Sequence, residues 1–151
     1  GNDFAIFDAR HVALAMPPER VRRLADRHRG IGCDQLIVIE PSDRADVFMR
    51  IFNPDGTEAE SCGNATRCVA QLMGGTATIE TRGGLLTAAA AADGVTIDMG
   101  RPRFGWADIP LAYAMDTADM PVGWPIPGGE LERPSAVSMG NPHLIFFVDD
   151  A

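Results

Sequence analysis

Several things are scarce in this chain, and each scarcity excludes a class of protein. Only three cysteines occur in 151 residues, an odd number without framework spacing, so a disulfide-stapled fold is excluded and reduced thiols in a cytoplasmic setting are expected. Cys62 and Cys68 are too far round one helix to pair with each other. The three histidines and three cysteines show no metal-ligand spacing, so no metal is expected. No apolar run is long enough to span a bilayer. Positive charge is outweighed, 13 Lys+Arg against 21 Asp+Glu, and the net charge of −8 argues against a nucleic acid partner. Arginines 20, 22, 23, 27 and 29 do cluster, on what reads as a solvated helix face. The Gly30-Ile31-Gly32 pair precedes a strand and lacks a third glycine, which excludes a dinucleotide fingerprint. Because the chain opens at Gly1 and not at an initiator Met, the missing signal peptide carries little weight.

What is present centres on Ser61-Cys62-Gly63-Asn64 and the residues after it. Ala65, Cys68, Val69, Leu72 and Met73 fall at helical spacing, Ser61 is placed to cap the helix, and Gly74-Gly75 to end it. Cys62 then stands at the helix N-terminus, where unpaired N–H groups and the helix dipole favour a sulfur anion. The amides of Gly63 and Asn64 beside it form a ready carboxylate or phosphate cradle. Cys68 is expected to be buried on the apolar stripe.

In chain order, Asn2 to Asp8 reads as a strand, and Pro17-Pro18 opens a helix with Val21, Leu24, Ala25 and His28 on one stripe. Strands follow at Leu36 to Glu40 and at Val47 to Asn53, where Val47, Met49 and Ile51 alternate with Phe48, Arg50 and Phe52. Asn53-Pro54-Asp55-Gly56-Thr57 is a turn that returns the chain towards Cys62. Three strands are expected after the helix, at Thr76 to Thr81, Leu85 to Ala90 and Val95 to Met99. Gly83-Gly84 and Asp93-Gly94 mark the turns between them. The alanine run at 88–92 would pass for helix on propensity, but its flanking turns favour strand. From Gly100 to Pro134 the chain is rich in Pro and Gly, with a short strand expected near Ile109 to Tyr113.

The end of the chain repeats its beginning. Gly1-Asn2, an aromatic, an apolar run and Asp8 correspond to Gly140-Asn141, His143, an apolar run and Asp149. The pattern fits one full unit over residues 1–113, then a connection and the opening of a second unit over 114–151. A second Cys-Gly helix is then expected about 60 residues beyond Asn141, near position 201, so the sequence reads as a fragment. The strand starting at His143 would have no partner strand of its own.

Gly1-Asn2-Asp3-Phe4, Arg29-Gly30-Ile31-Gly32-Cys33-Asp34-Gln35, Arg50-Ile51-Phe52-Asn53-Pro54-Asp55-Gly56, Ser61-Cys62-Gly63-Asn64 and Gly140-Asn141-Pro142-His143 together resemble the diaminopimelate epimerase family, in its motif order. The resemblance implies an α+β fold: two pseudo-symmetric units, each a mixed sheet rolled around a central helix, with the site between them. It implies epimerisation of diaminopimelate, interconverting its LL and meso forms without a cofactor, and it leaves room for a homodimer. By the same resemblance Cys62 is one of two acid/base cysteines, and Gly63 and Asn64 bind the reacting carboxylate. Asn2, Gln35, Asn53 and Asn141 hold the rest of the substrate, and His143 helps to set the thiol pKa values. Taken singly, Gln35, Asn53 and His143 read as turn or structural residues; with Cys62 in motif order they read as a site.

This sequence departs from the family at Cys33 and Pro54, where Ala is common, and at Ala65-Thr66, where Gly-Ala is common. The second cysteine and a Glu-Arg pair expected of the family's other half are not among these residues. Three other readings stay open. A proline racemase-type enzyme of the same superfold would be expected to carry Cys-Gly-His, against Asn64 here. Cys62 could be a redox thiol resolved by Cys68, although their helical separation speaks against it. The chain could also be a non-enzymatic carboxylate-binding module.

Overall fold

The computed structural model describes residues 1–149. The chain divides into two compact units, Gly1–Gly100 and Arg101–Ala151.

The first unit is a seven-stranded mixed sheet. Its elements are β1 (Phe4–Asp8), α1 (Pro18–Ala25), β2 (Gln35–Glu40), β3 (Val47–Phe52), β4 (Glu58–Ala59), α2 (Gly63–Leu72), β5 (Ala77–Thr81), β6 (Gly84–Ala91) and β7 (Gly94–Asp98). The strands run β1-β2-β3-β5-β6-β7, with β4 paired to β3. β1 is parallel to β2 and β3 to β5; the other pairs are antiparallel. The sheet curls around α2, the mixed fold that the family resemblance implies.

The sequence of β2 explains how the layers form. Leu36-Ile37-Val38-Ile39 is apolar throughout because both faces of the strand are covered. Leu36 and Val38 pack with Val21 and Ala25 of α1, and Ile37 and Ile39 pack with Ala65, Val69 and Ala70 of α2. Each such large side chain, fully buried, contributes roughly 1.5–3 kcal/mol. β6 accounts for the alanine run: Leu86 and Ala88 turn inward while Thr87 and Ala89 face out, and β5 and β7 pair with it on either side. Pairing on both edges overrides alanine's helical preference.

α2 ends as its sequence predicts. The Gly74 N–H bonds the Gln71 carbonyl and the Gly75 N–H the Ala70 carbonyl, the two bonds of a Schellman motif, with Gly74 at φ +95°. Its start and its buried face differ from expectation. Ser61 does not cap: Cys62 is the N-cap residue, and the buried Ser61 Oγ has no hydrogen-bond partner among the described residues. The buried face comprises Ala65, Thr66, Val69 and Ala70, whereas Leu72 is exposed and Cys68 is only half-buried. Thr66 can be buried because its hydroxyl donates to the Cys62 carbonyl at 2.8 Å. His28 lies beyond α1, in a turn where the Asp26 carboxylate accepts the His28 and Arg29 N–H groups.

The second unit contains β8 (Gly123–Ile126), β9 (Gly129–Glu132), β10 (Ser135–Ser138) and β11 (Pro142–Ile145), paired as two antiparallel hairpins. No strand forms at 109–113: the chain turns through 106–110 and bends at 112–113, since Pro110 has no N–H to give a ladder, and Ile109 instead packs with Met120 and Ala136. The β8–β9 hairpin, turned at Pro127-Gly128, lies within the Pro- and Gly-rich stretch whose sequence signals only a short strand near Ile109 to Tyr113. Position 113, the expected boundary, falls inside the second unit, because Arg103 bridges to Ser138 and Ile109 joins that unit's core. The strand at His143 does have a partner: β11 pairs with β10 in the register Val137↔His143, although Leu144 and Ile145 remain exposed. No helix of the described residues is long and apolar enough to cross a membrane.

The rotated face of α2 gives a direct test by urea denaturation. Ile79→Ala, at a fully buried position under α2, should cost about 2–5 kcal/mol. Leu72→Ala should change stability by less than about 0.5 kcal/mol. A large loss at Leu72 would return that residue to the core.

Candidate active site

Strand register gathers the predicted residues of the first unit at one end of its sheet. Asn2 precedes β1, and the parallel register Phe4↔Gln35 sets the starts of β1 and β2 side by side. The antiparallel register Leu36↔Phe52 brings Asn53, just after β3, next to Gln35, whose Nε2 donates to Asn53 Oδ1 at 3.1 Å. The N-terminus of α2 reaches the same end, where Asn64 Nδ2 donates to Asn2 Oδ1 at 2.7 Å.

Cys62 is half-buried in extended conformation (φ −154°), and packs against the core cluster under α2. Its carbonyl takes the Thr66 N–H at 2.9 Å, the first helical bond. The N–H groups of Gly63, Asn64 and Ala65 therefore belong to the first turn, which a helix cannot satisfy from within. No acidic residue stands in that turn, and no side chain caps it. These three N–H groups, without a partner among the described residues, can bind a carboxylate, and the thiol beside them can exchange a proton with the carbon attached to it.

Asp34, Asp3 and Arg27 buttress this end. Asp34 accepts from Asn2 Nδ2 (3.2 Å), the Asp3 N–H (3.2 Å) and Arg27 Nη2 (2.7 Å). Asp3 accepts two bonds from Arg27, at 2.7 and 2.8 Å, and these hold its carboxyl well below the usual carboxylate range. Arg67 donates to Asn64 Oδ1. Sequence reasoning assigned no role to Asp3, Asp34 or Arg67 and placed Arg27 on a solvated face; the one signal was that Asp3 adjoins Asn2 and Asp34 adjoins Gln35. A groove of about 390 Å³ beside α2 is lined by Asn2, Phe4, Asn64, Arg67, Cys68 and Gln71, among others, and not by Cys62. A larger one, about 690 Å³, lies along 9–15, Glu40, Pro41 and Asp43 and holds none of the predicted residues. The hydrogen-bonded cluster is the better guide to chemistry, because size alone supplies no reactive group.

A family model described as diaminopimelate epimerase matches residues 1–105. The chain belongs to the diaminopimelate epimerase family. Relatives of that description include one from Erythrobacter litoralis, 59% identical over 100% of this chain and 55% of its own length. Another, from Rhizorhabdus wittichii, is 57% identical over 99% of this chain and 54% of its own. The chain thus spans about half the length of the curated relatives it matches. A Bacillus anthracis phenazine biosynthesis protein of the PhzF family shares the fold, with a TM-score of 0.57 at 23% identity, covering 97% of this chain and 50% of that one. A hydroxyproline epimerase from Agrobacterium vitis does so at 0.56 and 21%, covering 82% and 38%. Those two likenesses speak to fold alone.

Within the diaminopimelate epimerase match lie Asn2, Gln35, Asn53, Cys62, Gly63 and Asn64; Asn141 and His143 come after it, in the second unit. There His143 Nε2 stands 3.1 Å from Asn141 Oδ1.

Two measurements follow from this geometry. Cys33 is 2% exposed and burial pushes its thiol up, so limiting iodoacetamide near neutral pH should label Cys62 first and Cys33 only on unfolding. Early modification of Cys33 would contradict its place in the core. In Arg27→Ala, carbon-13 NMR of the Asp3 carboxyl should show its pKa rising towards the ordinary value of about 3.9. Because the folded value is depressed, the tie's contribution is complete above the ordinary carboxylate range and is lost only as pH falls through the lower, folded value. An unchanged Asp3 titration in the variant would remove Arg27 as the cause.

Proposed function

We propose that the full-length protein is a cofactor-independent diaminopimelate epimerase in which Cys62 is one of two acid/base thiols. The observation that carries this reading is the position of Cys62 as N-cap residue of α2, beside the unsatisfied first-turn amides of Gly63, Asn64 and Ala65. The Cys62 thiolate takes the α-proton and becomes a thiol, leaving the electron pair on the α-carbon and its carboxylate. The acid on the opposite face, a second cysteine outside these 151 residues, then delivers a proton. Reversing the roles runs the reaction backwards. The developing dianion is the difficult species, and oriented N–H donors stabilise it most in a closed, water-poor site.

Asn2, Gln35 and Asn53 serve as polar contacts for the remainder of the substrate. Asn141 and His143, from the second unit, would supply a further contact and an influence on the thiols. A further unit similar to the first, outside these 151 residues, would provide the opposing helix. Three free thiols fit a cytoplasmic setting.

In the full-length protein, Cys62→Ala should lower epimerisation and deuterium wash-in at the α-carbon by at least about 10²–10⁴-fold. Binding of an unreactive diaminopimelate analogue should stay within about threefold. Near-normal turnover by the variant would remove Cys62 as a base. The 151-residue chain by itself should neither epimerise diaminopimelate nor exchange its α-proton at a useful rate. Steady turnover by it, abolished by Cys62→Ala, would require the second acid to be found among the residues present here.

A further inference from the structure

The side chains of Asn2 and Asn64 form the middle of a longer chain of hydrogen bonds whose two ends are charged. Arg67 donates to Asn64 Oδ1, Asn64 Nδ2 donates to Asn2 Oδ1, and Asn2 Nδ2 donates to Asp34 Oδ2, which Arg27 also holds through Oδ1. An amide can point either way, because its oxygen and nitrogen are nearly equal in size. A guanidinium can only donate and an ionised carboxylate can only accept. Turning Asn64 round would set two donors together at Arg67 and two acceptors together at Asn2. Turning Asn2 round as well would only move the clash to the Asp34 carboxylate. The direction is therefore fixed from both ends.

We propose that Arg67 and Asp34 are positioning residues that act through Asn64 and Asn2, fixing which face of each amide is offered to the substrate. The inference rests on the epimerase reading only in naming the substrate; the direction of the chain is a property of the ligand-free protein. With Arg67 at one end and Asp34 at the other, Asn64 and Asn2 each keep one Nδ2 hydrogen and one oxygen lone pair in a set place. Arg67 also lies one turn into α2 from Asn64 and lines the same groove as both asparagines. Neither positioning residue touches the reacting atoms in this account, so their loss should weaken substrate binding more than turnover.

The test uses the full-length protein. Arg67→Met should raise KM for diaminopimelate about tenfold and change kcat by less than about threefold. Arg67→Lys should restore KM to within about threefold of wild type, since an ammonium also can only donate. Asp34→Asn should raise KM similarly, and the double variant Arg67→Met/Asp34→Asn should raise it by clearly more than the product of the two, because after either change alone the remaining charged end still biases the direction of the chain. Nitrogen-15 spectra of the ligand-free protein should show the Asn2 and Asn64 side-chain amides shifting together in Arg67→Met. An unchanged KM in Arg67→Met, Lys failing where Met fails, or a multiplicative double variant would overturn the proposal. If Arg67→Met does not fold, Arg67→Lys and Asp34→Asn carry the same comparison. Absence of epimerisation by the wild-type protein would defeat the functional reading, and coupled amide shifts would still decide the positioning one.

Discussion

Everything at the candidate site depends on the close packing of α2 against the inner face of the curled sheet. The residues at that contact are small: Ala65, Thr66, Val69 and Ala70, set against Ile37, Ile39, Met49, Ile51 and Ile79. Small side chains let the helix axis approach the sheet, and the sheet supplies the bulk. The Schellman exit at Gly74-Gly75 turns the chain directly into β5, so the helix is held at its far end as well. A helix gripped along its length and at its exit has a fixed N-terminus. The amides of Gly63, Asn64 and Ala65 are thus oriented by the hydrophobic core, without a capping side chain to compete for them.

Polar side chains around that N-terminus are organised by a second constraint, the need of every amide for a definite partner. Two hydrogen-bond chains cross this end of the sheet and each ends on a carboxylate. One runs from Arg67 through Asn64 and Asn2 to Asp34, and the other from Gln35 through Asn53 and Thr57 to Asp55. The Thr57 hydroxyl and N–H hold the Asp55 carboxyl below its usual range, so that acceptor stays ionised. The same residues that read as turn formers in Asn53-Pro54-Asp55-Gly56-Thr57 therefore also orient Gln35 and Asn53. Turn chemistry and site chemistry are here one set of bonds.

The parts legible in the sequence were those with a local signal. Apolar spacing and a glycine pair announced α2, the Leu36-Ile37-Val38-Ile39 run announced a strand, and Gly-containing turns announced the β5–β6–β7 meander. What failed depended on partners distant in sequence. Thr66 reads as polar until its hydroxyl finds the Cys62 carbonyl, and only then can it replace Leu72 on the buried face. Ile109 to Tyr113 has the composition of a strand, but Pro110 interrupts it and Ile109 goes to packing. The β8–β9 hairpin was hidden in a segment whose Pro and Gly content reads as connection. Cys62, Asn2 and Asn64 were found as a motif. The ties of Asn2 to Asp34 and to Asn64 span 32 and 62 residues, and no periodicity encodes them.

The central claim is that the first turn of α2 is a carboxylate site with a reactive sulfur beside it. Its most direct test is to titrate the full-length protein with an unreactive diaminopimelate analogue and follow backbone amides by NMR. The account predicts that the N–H resonances of Gly63, Asn64 and Ala65 shift most within the first unit, saturating together at one dissociation constant. Saturable binding that leaves those three amides unmoved and shifts residues 9–15 along the larger groove would contradict it.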